Sequence, residues 1–340
     1  MSKRKNILQL LTLSTTTHSV KTAERQHTLE KLRQRRTRPA QSAIDQMYEL
    51  FPVVTSGWST ASEEHPTHNE DALLIDETTG LFAVFDGVGG SEAAEIASQT
   101  AVQATTQTWH GWLRPQPRRR KGYAWLVDRG AYDLSSLVEK LVLEADEQVR
   151  TEGAQRAGTH DLSTTVALAA FCKQPGTHHY TMVSAHVGDS RIYLLRGQEY
   201  LQRLTSDDGF LTKLIGSKMI NQECALHIDQ AMREDELTDL EKVYFRLRGG
   251  ITQALGNPVA PMVHTNQTTV KPGDRVLLCT DGIHDNLTDE EIESTLRNSP
   301  RTACARVLVE RSRERSREDF TRTIRAKPDD MSAIVLTCRF

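Results

Sequence analysis

Leu81 to Gly90 reads LFAVFDGVGG: an apolar run, then Asp86, then a glycine-rich break. The run has the length of a buried strand. A carboxylate at the end of such a strand is costly unless a cation or hydrogen bonds meet it. The glycines let the backbone turn sharply and come close to a bound group. Asp274 to Gly282, DRVLLCTDG, repeats the device with Asp281 and Gly282. Two strands that each end in Asp-Gly predict one shared site, and such oxygen ligands suit hard divalent metals.

The surrounding sequence predicts the scaffold. Val53 to Trp58 and Ala72 to Asp76 read as strands, and Thr78-Thr79-Gly80 turns the chain into the Leu81 to Phe85 strand. Ala94, Ala97, Ala101 and Val102 share one helical face, and Leu134 to Val149 is a second amphipathic helix. Thr165 to Phe171, Tyr180 to His186, Ser190 to Leu195 and a short run near Tyr200 predict an antiparallel meander, punctuated by Pro175-Gly176 and Gly188-Asp189. Asp207 to Arg248 is polar and mainly helical. Thr288 with Glu291 makes a capping box, Ala303 to Glu314 another helix, and Ser332 to Cys338 a closing strand. Two antiparallel sheets covered by helices account for this order.

The chain has 340 residues and a formal net charge of -3. Residues 1–40 carry ten Lys or Arg against Glu24 and Glu30, so the rest is acidic. An acidic body argues against nucleic acid as substrate and suits a cation site. Residues 1–50 read as a basic, flexible extension that could dock a partner, and 51–340 as the folded domain. No run approaches a membrane span. The five cysteines form no CxxC pair, which predicts buried free thiols in a reducing, cytoplasmic setting. A GxxxxGK[ST] loop, a GxGxxG and a C-x5-R arrangement are all missing.

Glu70, Asp71, Asp86, Asp281, Asp329 and Asp330 sit where strands start or stop. Brought together, they would repel one another and need compensating cations. Two divalent ions about 4 Å apart could share a carboxylate, activate a water and polarise an oxyanion. That chemistry suits hydrolysis of a phosphate ester.

In order along residues 51–340 stand NEDA (Asn69–Ala72), DGVGG (Asp86–Gly90), STT (Ser163–Thr165) and HVGDSR (His186–Arg191). LTSDD (Leu204–Asp208), ITQALG (Ile251–Gly256), CTDGIHDNLTDEEI (Cys279–Ile292) and DDMS (Asp329–Ser332) follow. This ordered set resembles the metal-dependent Ser/Thr protein phosphatases of the PPM, or PP2C, class. The resemblance implies an α+β fold, a four-layer αββα sandwich with two central antiparallel sheets. It implies two Mn²⁺ or Mg²⁺ ions and hydrolysis of phosphoserine or phosphothreonine by a water or hydroxide bridging them. Asp86 would bridge the ions, the Gly87 carbonyl would add a ligand, and Asp281 and Asp329 would complete the second ion's shell. Glu70 would act through a water, while Asp71 and Asp330 would support the centre from beside it. The substrate would be a phosphoprotein and the enzyme a cytoplasmic monomer.

The chain departs from that pattern in places. The family's phosphate-gripping Arg would fall at Pro66, leaving His65 and His68 as the nearest donors. Val88 replaces a His found in some members. A third metal would fall to His160, Asp161 and Asp207. Asp189 and Arg191 read as a salt-bridged turn, and 208–250 as a lid-like insertion. Two rival readings remain: an inactive, phosphatase-like binding module, and a small-molecule phosphomonoesterase.

Overall fold

The computed structural model describes residues 52–89, 92–113, 134–153, 155, 162–173 and 180–339. All of these belong to one compact unit, Leu50–Arg114 with Tyr132–Phe340; the other unit, Met1–Glu49 with Pro115–Ala131, lies outside them. The strands are β1 (Val53–Thr60), β2 (Asp71–Asp76), β3 (Leu81–Val88), β4 (Ser163–Thr164), β5 (Val166–Lys173) and β6 (Tyr180–Val187). β7 (Arg191–Leu195), β8 (Gln202–Arg203), β9 (His264–Val270), β10 (Arg275–Cys279) and β11 (Met331–Cys338) follow. One sheet has the order β1-β11-β10-β7-β8; the other runs β2-β3-β5-β6-β9, with β4 added beside β3. The pairings are antiparallel.

The apolar run before Asp86 lacks polar alternation because both of its faces are covered. Phe82 and Val84 meet Met182 of their own sheet and Ile192, Leu278 and Ile334 of the other, in a core between the sheets. The other face of β3 lies under α1 (Glu92–Leu113), and β6 lies under α2 (Leu134–Gln148). Three helices follow β8: α3 (Phe210–Gly216), α4 (Gln222–Gln230) and α5 (Asp239–Leu247). The short α6 (Asp281–His284), α7 (Asp289–Asn298) and α8 (Cys304–Ser316) complete the α-helices among the described residues. α7 and α8 bury Ile292, Leu296, Leu308 and Val309 against Tyr193, Leu277 and Val335 on the outer face of the first sheet. The layers are therefore helix, sheet, sheet, helix, as expected.

Thr288 and Glu291 form the expected capping box at α7, and Thr238 with Glu241 forms another at α5. α4 and α5 enclose a small core of their own, Ile228, Leu237 and Phe245, with Ile324. No helix among the described residues is long and apolar enough to cross a membrane.

Three expectations need correction. The meander is split: β5 and β6 pair in one sheet, but the chain then crosses at Gly188-Asp189 and β7 and β8 join the other. Packing between sheets made that choice, which local pattern does not encode. β9 was not anticipated, because HTNQTTV is polar and mostly solvent-facing at a sheet edge. Asp86 does not end its strand; pairing of Gly87 with Thr164 and of Val88 with Ser163 carries β3 past it.

The GDSR turn is also wired differently. Arg191, 2 % exposed, pairs with Asp207 at 2.6 Å and Asp229 at 3.0 Å rather than with Asp189. This ties β7 to α4. Burial pushes the Asp207 and Asp229 carboxyls up, but Arg191 outweighs it and holds both below the ordinary value. Arg191→Met is expected to cost about 3 kcal/mol in a urea titration at pH 7, because two buried carboxylates lose their main partner. The loss should shrink as pH falls below about 4, where those carboxylates are protonated in the unfolded chain.

Candidate metal centre

Asp71 opens β2 and Asp86 lies in β3, and the two face each other across the strand pair. Like charges so placed are ordinarily destabilising. From the other sheet come Asp281, two residues after β10, and Asp329, two residues before β11. Asp189 arrives on the crossing between β6 and β7. Ends of both sheets thus deliver carboxylates to one place.

Backbone and hydroxyl contacts hold them there. The Asp86 N–H donates to Thr165 Oγ1 at 3.2 Å. The Asp86 carbonyl accepts from the Thr165 N–H and from Thr164 Oγ1, each at 2.8 Å. Thr164 exchanges backbone hydrogen bonds with Leu255, and Thr165 Oγ1 lies 2.7 Å from Ser190 Oγ. The STT, ALG and GDSR segments therefore clasp the strand that carries Asp86. Thr280 Oγ1 donates to Asp71 Oδ2 at 2.8 Å, which joins the two sheets. The Asp330 carboxylate accepts from the Ser62 and Glu70 N–H groups, each at 2.6 Å, and so fixes the approach to Glu70.

Two glycines permit the close approach. A Cβ on Gly87 would lie 2.4 Å from the Ala94 carbonyl oxygen and 2.7 Å from that of Glu70. A Cβ on Gly282 would lie 1.9 Å from the Asp330 carbonyl oxygen. Neither site tolerates a side chain, so the Asp86 and Asp281 backbones can sit directly against their neighbours.

The electrostatics follow from this crowding. Burial, then Asp281, Asp71, Asp329 and Asp189, push the Asp86 carboxyl well above its ordinary range. Burial and Asp281 do the same to Asp189. Burial raises Asp71 well above its ordinary value despite hydrogen bonds from Thr280 and Ser332. Asp329 is pushed up to about 7 by burial and Asp281. Hard oxygen donors in mutual repulsion are the donor set that a divalent cation satisfies. The residues present thus fit the two ions that the family implies.

His65 and His68 stack at 4.5 Å beside this group, with His68 Nε2 3.6 Å from Glu70 Oε1 and His65 Nδ1 3.7 Å from Asp330 Oδ1. Burial alone would lower the His65 pKa, but the His68 carbonyl, Asp330 and Glu70 raise it. Asp207, one of the three residues named for a third ion, is held by Arg191, with Arg203 3.7 Å away. His160 and Asp161 lie outside the described residues. The sequence reading missed Lys327, whose Nζ lies 2.6 Å from Asp281, 2.8 Å from Asp285 and 3.0 Å from Asp329. Its position two residues before Asp329 was the available signal. His284, held to about pKa 4 by burial and Arg191, is neutral; its Nε2–H donates to the Asp189 carbonyl at 3.1 Å.

Residues 60–319 match the family described as protein phosphatase 2C. The chain belongs to that family. The serine/threonine phosphatase stp of Listeria welshimeri is 25% identical over 234 residues, 68% of this chain and 78% of that protein. The serine/threonine protein phosphatase PstP of Mycobacterium tuberculosis is 27% identical over 244 residues, 72% of this chain but 39% of that protein. The solved structure of mycobacterial PstP/Ppp superposes with a TM-score of 0.61 at 24% identity, covering 85% of this chain and all of that one. The catalytic domain of PstP, in complex with 2 manganese ions, gives a TM-score of 0.59 at 23% identity, covering 85% and 99% of the two chains. At these identities the superpositions establish the protein phosphatase 2C fold.

The carboxylate crowding has a measurable consequence in metal-free protein. Native Asp329 keeps a proton up to about pH 7, whereas the unfolded chain releases it near 3.8. Between those values the native state binds more protons, so stability falls as pH rises. In EDTA, the melting temperature should decline from about pH 4 to about pH 7, and Asp329→Asn should flatten that decline. Saturating Mn²⁺ should abolish it in the wild type. Identical metal-free profiles for the two proteins would refute the crowding.

Proposed function

We propose that this chain is a metal-dependent phosphatase of phosphoserine and phosphothreonine in proteins. The convergence of Asp86, Asp281 and Asp329 from ends of two sheets, at a cost in mutual repulsion, carries this reading. When bound, the two ions would supply an acidified water and neutralise charge on the phosphoryl group. Asp86 and the Gly87 carbonyl would hold one ion, and Asp86, Asp281 and Asp329 the other. Glu70 would contribute through an intervening water, its backbone position set by Asp330. Asp71, anchored by Thr280, would back Asp86 across the strand pair. The net change is cleavage of the P–O bond by water to give the free hydroxyl and inorganic phosphate.

The reading extends beyond the centre. Residues 51–340 would form the catalytic domain and 208–250 the element that governs substrate access, since α4 and α5 have a core of their own. The basic residues 1–50 would dock partners of a monomeric, cytoplasmic enzyme. A chelator should abolish phosphopeptide turnover, and Mn²⁺ or Mg²⁺ should restore it. Asp86→Asn should lower kcat by at least about a thousandfold while leaving the fold intact by circular dichroism. Full activity in metal-free protein would overturn the assignment. Turnover of small esters but not phosphopeptides would favour a small-molecule phosphomonoesterase. Metal binding without turnover would favour a binding module.

His65 and His68 would take the place of the missing Arg at Pro66. They are half-buried, sit beside Glu70, and the raised His65 pKa keeps that ring cationic nearer to neutrality. Replacing both with alanine should raise KM for a phosphopeptide about fivefold with little change in kcat, as expected when ground-state binding is lost. An unchanged KM and pH profile would remove the pair from the site.

A further inference from the structure

Lys327 is placed by its backbone. Its N–H donates to Asn286 Oδ1 at 3.1 Å, and its carbonyl accepts from Asn286 Nδ2 at 2.9 Å. Asn286 is fully buried, and its Nδ2 also donates to the Gly282 carbonyl at 2.9 Å. The segment bearing Lys327 is thus locked to the turn bearing Asp281. Pro328 further restricts the backbone between Lys327 and Asp329. From this clamped position the ammonium reaches Asp281 Oδ2 at 2.6 Å and Asp329 Oδ2 at 3.0 Å. Those are two of the three carboxylates assigned above to one ion.

We propose that Lys327 is a tethered cation that competes with a divalent ion for Asp281 and Asp329, and so weakens loading of that ion. The proposal rests on the metal centre of the preceding subsection and deepens it. An ammonium is a compact point charge with three donors and can meet several carboxylates at once. While it holds Asp281 and Asp329, the lone pairs it uses are not free for a metal.

The ammonium also has somewhere to go. Asp285, which is outside the assigned ligand set, lies 2.8 Å from Nζ on the same helical turn as Asp281. Arg248 stands 3.4 Å from the other Asp285 oxygen and keeps that carboxylate ionised against burial. Lys327 can therefore release Asp281 and Asp329 while keeping Asp285. Its side chain is 38% exposed, so the movement need not open the core. Burial pulls the lysine pKa down, but Asp281, Asp285 and Asp329 outweigh it, and the side chain stays charged.

Mn²⁺ titration of the EDTA-treated, dialysed full chain tests this by calorimetry. Lys327→Met and Lys327→Gln should each bind the weaker of two Mn²⁺ ions about tenfold more tightly than wild type, because a competing charge is gone. Both metal-free variants should melt lower than metal-free wild type and gain more from saturating Mn²⁺. Lys327→Arg keeps the charge and should retain weak loading. If Lys327 acted only by hydrogen bonding within the fold, Lys327→Gln would behave like wild type, which would overturn the proposal. Equal affinities in all four proteins, or weaker binding in the neutral variants, would also overturn it while leaving the metal centre standing. Uptake of no Mn²⁺ by wild type would overturn the metal centre itself, and this proposal with it.

Discussion

Buried carboxylates cannot be gathered at one point without something to hold them there. In this chain Asp71, Asp86, Asp189, Asp281 and Asp329 are brought together by the ends of two face-packed sheets, and much of the local structure works against their repulsion. Thr164 and Thr165 grip the backbone of Asp86 rather than its carboxylate. Asp330 accepts the Ser62 and Glu70 backbone N–H groups and so organises the rim. Glycines at 87 and 282 remove the side chains that would keep the segments apart. The sandwich, whose β3 and β11 are buried along nearly their whole length, supplies the stability against which this strain is set.

The stretch from Arg325 to Asp330 acts as a connector between that centre and the helices α3 to α5. Arg325 is fully buried and donates to the carbonyls of Asp229, His284 and Leu287, so it bonds the end of α4 to the turn that follows Asp281. Burial brings its pKa down to about 10, still cationic at neutral pH. Two residues on, Lys327 reaches the carboxylates; two further, Asp329 joins them; and Asp330 turns back to Glu70. Arg191 makes a second link by pairing with Asp229. Through these groups, the packing of α4 is mechanically continuous with the position of Asp281.

Much of the scaffold was legible before the structure. Apolar runs such as Leu81–Phe85 and Arg275–Cys279 have the length of buried strands, and the capping box at Thr288 fixed where α7 begins. β9 was not legible, because an edge strand that faces water needs no apolar pattern. The exchange of sheets between β6 and β7 was not legible either, since both partners are equally apolar and only the facing sheet decides between them.

The same division holds at the centre. Sequence alone determined which residue types could do chemistry: Asp-Gly after two apolar runs, Asn-Glu-Asp, and Asp-Asp, all supplying hard oxygen donors. It also showed His65 and His68 on either side of Pro66, the position at which the family resemblance implies an Arg. Only the tertiary structure decided which of these groups meet. It turned Asp330 toward backbone amides, gave Asp207 to Arg191, put Asp189 among the carboxylates, and brought Lys327 to Asp281 across a sequence separation of 46. A residue's chemistry is carried by its own atoms, but its charge environment is the sum over neighbours that are distant in the chain, and those are chosen by packing.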